Sequence, residues 1–65
     1  MSVLVNGRMQ NLPEPPTLAA LLVALAPSIP FAVARNGEFV PCANYGGCEI
    51  QPGDHIDIVH PAVGG

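Results

Sequence analysis

Three short stretches of the chain alternate apolar and polar residues, and one repeats its apolar residues at helical spacing. In SVLV, Val3 and Val5 share one face of a strand and Leu4 takes the other. Asn6-Gly7 follows, and both residues tolerate the positive φ angles of a two-residue type I′ turn, so a hairpin is predicted. Met9 and Leu12 contribute to a return strand whose alternation is weak. The PEPP run then removes amide donors at Pro13, Pro15 and Pro16 and blocks further sheet pairing. Thr17 is placed to cap LAALLVAL, where Leu18, Leu21, Leu22 and Leu25 form one apolar stripe. Alanines at 19, 20, 24 and 26 favour helix, and Pro27 ends it. FAVAR predicts another strand with Phe31 and Val33 on one side, turned at Asn36-Gly37 into EFV and stopped by Pro41. CANYGGCEIQPGD reads as an irregular loop with at most one short helical turn. Pro52-Gly53 delivers the chain into HIDIVH, with Ile56 and Ile58 on one side and Asp57 and Val59 on the other.

Two hairpins flanking one amphipathic helix, with a last strand after a long loop, bury all their apolar faces if the helix crosses a single mixed sheet. Parallel pairing of the first and last strands would make the last one central, where Ile56 and Ile58 are best used. The expectation is an α+β, β-grasp fold in ββαββ order: four to five strands in a mixed sheet with one main helix. Residues 1–60 would be the domain, and 61–65 a flexible tail ending in Gly-Gly.

Composition narrows the function. A chain of 65 residues supports one small domain, and 49% hydrophobic residues argue against intrinsic disorder. The net charge of −3 leaves only Arg8 and Arg35 as basic side chains, too few for a phosphate-binding stripe, so nucleic-acid binding is not expected. An acidic surface suits a partner with a basic docking face. No basic segment followed by an apolar run opens the chain and no apolar run reaches 18 residues. A soluble, cytoplasmic protein without a membrane partner is therefore expected.

Candidate chemistry in the body is thin. Cys42 and Cys48 permit one disulfide, but without a secretory segment free thiols are the expected state. Together with His55 and His60 they offer four soft ligands at a spacing that matches no compact zinc pattern. No phosphate loop, HExxH or nucleophile elbow is present. His60 would need a positioned proton-transfer partner to act as a base, and Cys42 has no helix start or basic neighbour to activate it. No catalytic or metal-binding residue is assigned, and no intrinsic cofactor is expected. A small redox or metal-binding module using Cys42 and Cys48 is the alternative of a different class.

That leaves HPAVGG at 60–65. Gly-Gly alone is also what a frayed terminus carries. Yet a terminal carboxylate on a narrow thread suits insertion into an enzyme that activates carboxylic acids, and from Pro61 five residues span at most about 17 Å. Read with the body, the pattern becomes specific. VNG at 5–7, TLAALL at 17–22, VARNGEFVP at 33–41, QPGD at 51–54 and IDIVHPAVGG at 56–65 closely resemble the ThiS family, ubiquitin-like β-grasp sulfur carriers of thiamine biosynthesis.

The resemblance implies that Gly65 is the residue modified: its carboxylate is adenylated, then converted to a thiocarboxylate that donates sulfur to thiazole formation. Gly64 would provide clearance, and Val63, Ala62 and Pro61 would guide the tail. The implied partners are an adenylating enzyme of the ThiF type, which uses ATP and Mg, a thiazole synthase of the ThiG type, and a persulfide donor fed by a cysteine desulfurase. The chain itself would be a protein co-substrate, not an enzyme. Val59 is a candidate partner contact, with packing at the sheet edge as the competing reading. One departure stands out: family members often carry a basic residue just after the proline equivalent to Pro41, where this chain has CANYGGC. A molybdopterin-type carrier, usually longer, and a ubiquitin-like protein modifier share the same terminal logic.

Overall fold

The computed structural model describes residues 1–61. Its elements are β1 (Ser2–Val5), β2 (Arg8–Asn11), α1 (Leu18–Leu25), β3 (Ala32–Arg35), β4 (Glu38–Val40), a 3-10 helix (Cys42–Gly47) and β5 (His55–Val59). The five strands form one mixed sheet in the order β2-β1-β5-β3-β4. The last strand is central: β5 runs parallel to β1 and antiparallel to β3.

Both Asn-Gly pairs make the predicted turns, with φ of 51° and 82° at Asn6-Gly7 and 51° and 86° at Asn36-Gly37. Those left-handed angles match the right-handed twist of the flanking strands, which sets β1 against β2 from Ser2↔Asn11 to Val5↔Arg8 and β3 against β4 from Val33↔Val40 to Arg35↔Glu38. Leu12 falls outside β2 and packs half-buried against the core, whereas Met9 points away from it. The third predicted strand starts one residue late, at Ala32, with Phe31 packed against the core just before it.

Helix α1 begins where Thr17, in an extended conformation, accepts at Oγ1 from the Ala20 N–H at 3.2 Å. It ends at Ala26, in the left-handed region with φ 48°, whose N–H donates to the Leu22 carbonyl at 2.8 Å. Pro27 has no N–H with which to continue the helix. Leu18, Leu21 and Leu22 are buried and Leu25 half-buried, meeting Val3, Val5, Val33, Ile56 and Ile58 from the sheet. Full burial of a side chain such as Leu18 or Ile56 contributes roughly 1.5–3 kcal/mol, the main favourable term available to so small a core.

Two features depart from the sequence reading. The CANYGG segment is a 3-10 helix over six residues, longer than the single turn expected, and it packs against α1 with Tyr45 and Cys48 half-buried at the core. The PEPP run is also tied to the fold more closely than its missing donors suggest. Pro16 still has a carbonyl, which accepts from the Ile50 N–H at 2.8 Å, and the Leu18 N–H donates to the Cys48 carbonyl at 2.9 Å. This antiparallel bridge at Thr17↔Glu49 carries Ile50 into the core, where it is buried.

Candidate functional site

The sheet has one face under α1 and the other uncovered among the described residues. Alternation on β5 sends Ile56 and Ile58 inward and His55, Asp57 and Val59 outward. Across the outer face, Met9 pairs with Leu4 and Leu4 with His55, while Asp57 pairs with Ala34 and Ala34 with Phe39. Val59 pairs with Ala32. Met9, Phe39 and Val59 are 71%, 68% and 57% exposed, so this face is an apolar surface with one carboxylate, Asp57, near its middle. Three large apolar side chains left in water on one face make it the candidate contact surface of this fold.

Val59 closes the central strand, away from either sheet edge, and keeps just over half of its surface exposed. Beyond it, His60 meets the Phe31 ring edge-on, with centroids 6.4 Å apart and an interplanar angle of 62°. A shallow hollow of about 270 Å³ lies here, lined by Pro30, Phe31, Ala32, Val59, His60 and Pro61. Pro61 is exposed and is the last described residue. Ala62, Val63, Gly64 and Gly65, expected to guide, clear and bear the chemistry, lie outside the described residues.

Side chains from the two hairpin turns hold both ends of β5. At its start, Asn36 Oδ1 accepts from the His55 N–H at 2.9 Å and Asn36 Nδ2 donates to Asp54 Oδ1 at 3.2 Å. Asp54 Oδ2 accepts from Arg35 Nε and from the Gln51 N–H, each at 2.8 Å. Burial alone would push the Asp54 carboxyl up; the Gln51 amide, Asn36 and Arg35 outweigh it and hold the group below its ordinary value. The hydrogen bond that Arg35 donates to the Asp54 carboxylate likewise raises the guanidinium's pKa. At the far end, Asn6 Oδ1 accepts from the Ile58 N–H at 2.8 Å and Asn6 Nδ2 donates to the Ile58 carbonyl at 3.2 Å. Sequence reasoning assigned Asn6 and Asn36 to turn geometry alone. Their second task was visible only as a choice of Asn in both turns where Asp or Gly would also turn the chain.

The cysteines do not assemble a site. Cys42 is exposed and Cys48 half-buried, both as free thiols. Among the described residues no three of His, Cys, Asp and Glu converge to hold a metal ion. Burial raises the Tyr45 hydroxyl pKa, with Cys42 adding to the effect. A larger, open hollow of about 590 Å³ beside the 3-10 helix is lined by Arg35, Asn36, Phe39, Pro41, Asn44 and Cys48 among others, and among the described residues no buried side-chain polar atom lacks a hydrogen-bond partner. No helix among the described residues is long and apolar enough to cross a membrane.

A five-stranded mixed sheet with a central last strand, one crossing helix and an open outer face defines a ubiquitin-like β-grasp protein. The sequence profile of the ThiS family matches residues 3–65, almost the whole length, and the chain belongs to that family. Among solved structures, the thiamine biosynthesis protein ThiS from Geobacter metallireducens superposes with a TM-score of 0.81 over 100% of both chains, at 22% identity. At that identity the likeness speaks for the fold. A search of curated proteins finds no match.

Proposed function

We propose that the chain is a sulfur carrier of thiamine biosynthesis, with Gly65 as the sulfur-bearing residue. The observation that carries this reading is the family match, which runs through residue 65 and so includes Gly64-Gly65. The body supports it. The apolar outer sheet face with Asp57 suits a partner presenting apolar residues and a basic group, and the exposed run from Val59 to Pro61 leads the chain away beside that face.

The chemistry follows from the poor leaving group of a carboxylate. The Gly65 carboxylate attacks ATP, forming an acyl adenylate and releasing pyrophosphate, with Mg and nucleotide held by an adenylating partner of the ThiF type. A persulfide supplied through a cysteine desulfurase displaces AMP and leaves an acyl disulfide. A donor thiol then attacks that disulfide, closing its own disulfide and freeing the terminal thiocarboxylate. A thiazole synthase of the ThiG type accepts the sulfur, and the carboxylate is regenerated. Every acid–base and metal role belongs to those partners. This chain contributes recognition by its sheet and a narrow tail in which Val63, Ala62 and Pro61 guide and Gly64 clears the passage.

Intact-mass measurement after incubation with the adenylating partner, MgATP and a persulfide donor tests the reading. One oxygen should be exchanged for sulfur, with fragmentation assigning the change to Gly65. A chain extended by one residue should stay unmodified, since its carboxylate no longer reaches the aligned position. Normal sulfur loading of that extended chain, or sulfur found on Cys42 or Cys48 instead, would overturn it.

A further inference from the structure

The strand that leads into the tail is held differently along its two sides. On the β3 side, pairing continues to Ala32↔Val59. On the β1 side the main-chain ladder stops early, because β1 turns away at Asn6, and the last such bond is from the Asn6 N–H to the Ile56 carbonyl at 2.9 Å. Ile58 lies one rung further on. Both of its β1-facing groups are taken by the Asn6 side chain, the N–H by Oδ1 at 2.8 Å and the carbonyl by Nδ2 at 3.2 Å. One side-chain amide thus stands in for a missing strand residue, 52 positions away in sequence.

We infer that Asn6 is a positioning residue for sulfur loading, fixing the root of the tail relative to the outer sheet face; the inference rests on the proposed carrier role. Ile58 is followed at once by Val59, His60 and Pro61, and no turn intervenes before Pro61. With Ile58 bonded to Asn6 on the β1 side and the strand paired with β3 through Val59 on the other, β5 ends in one direction. Without Asn6, its end is tied only to β3 and can swing about that edge, while its freed N–H and carbonyl turn to water. A partner docked on Met9, Leu4, Phe39 and Val59 would still find its surface, but the carboxylate would arrive over a wider volume. Poor placement of a reacting group lowers the rate at saturation without weakening docking.

Asn36 supplies an internal control. Its turn has the same residues and nearly the same angles, and its side chain also bonds β5, but at His55 and Asp54, the end remote from the tail. The experiment compares Asn6→Gly and Asn36→Gly in the full chain, since glycine keeps both turns and deletes both amides. Pyrophosphate release with the adenylating partner and MgATP is measured per folded molecule, alongside amide hydrogen exchange at Ile58 and His60. For Asn6→Gly, exchange at Ile58 should quicken and kcat should fall about ten-fold with KM held within about two-fold, while Asn36→Gly keeps the wild-type kcat. Asn6→Asp keeps the left-handed turn and the acceptor for the Ile58 N–H but loses the donor, so it should fall between. An Asn6→Gly chain with the kcat of Asn36→Gly, or a loss confined to KM, would overturn the role. A wild-type chain that releases no pyrophosphate sinks the carrier reading itself and takes this role with it, whereas Ile58 exchange still reports on the amide clamp.

Discussion

Asn6-Gly7 and Asn36-Gly37 spell the same turn, adopt φ angles that agree within a few degrees and close the two hairpins of one sheet. Their asparagine side chains nevertheless enter different company. Asn36 joins a charged cluster in which Asp54 gathers Arg35, Gln51 and the turn amide around the start of β5. Asn6 meets only main chain, and completes a ladder at the end of β5 that its own strand is too short to finish. Identical local code therefore produces a titratable fastening at one end of the central strand and an uncharged one at the other. The difference comes from topology, because β1 runs parallel to β5 and β3 antiparallel to it.

The comparison breaks most completely if the strand that both turns grip is undermined. Ile56 is fully buried between them, and Ile56→Ala should cost about 2–5 kcal/mol, enough to unfold much of a domain this small. Thermal unfolding by circular dichroism would check it, and an unchanged midpoint would mean that the core does not centre on β5. The charged end alone is removed by Asp54→Ala, which deletes the acceptor for three donors and should cost about 1–3 kcal/mol. Faster exchange at His55 with Ile58 still protected would show that the two fastenings act separately.

Acid reaches the same end more gently. The Asp54 carboxyl titrates below its ordinary value of 3.8, so its contribution is complete above that pH and fades as pH falls through the lower folded value. Amide shifts of Asn36 and His55 should therefore move in strong acid before those of Asn6 and Ile58; simultaneous movement would refute the distinction. The smallest effects come from the backbone the turns share. Gly7→Ala and Gly37→Ala each place a Cβ in open space but at φ of 82° and 86°, and each should cost about 1 kcal/mol by equilibrium denaturation. Unequal costs would show that the turns differ in backbone strain as well as in side-chain partners.

Much of the architecture was legible because it depends on near neighbours. The leucine stripe at 18, 21, 22 and 25, the Thr17 cap, both Asn-Gly turns and the Ile56–Ile58 alternation are all properties of a few consecutive residues. The six-residue 3-10 helix was not legible, since CANYGG has no periodic apolar pattern and is held by packing against α1. Ile50 was overlooked for a related reason: one isoleucine in a loop gives no period, and only the bridge to Pro16 and Leu18 turns it inward. For the candidate site, alternation exposed Val59 and family resemblance pointed to Gly65. The grouping of Met9, Leu4, Ala34 and Phe39 on one outer face needed the strand order, which no single stretch encodes.

The chain's own letters thus determined where strands, helix and turns fall, because those follow from φ preferences and side-chain period over a turn or a strand. Only the folded arrangement decided what Asn6 and Asn36 would bond, because their partners, 18 to 52 residues away, meet them only after β5 has been inserted between β1 and β3.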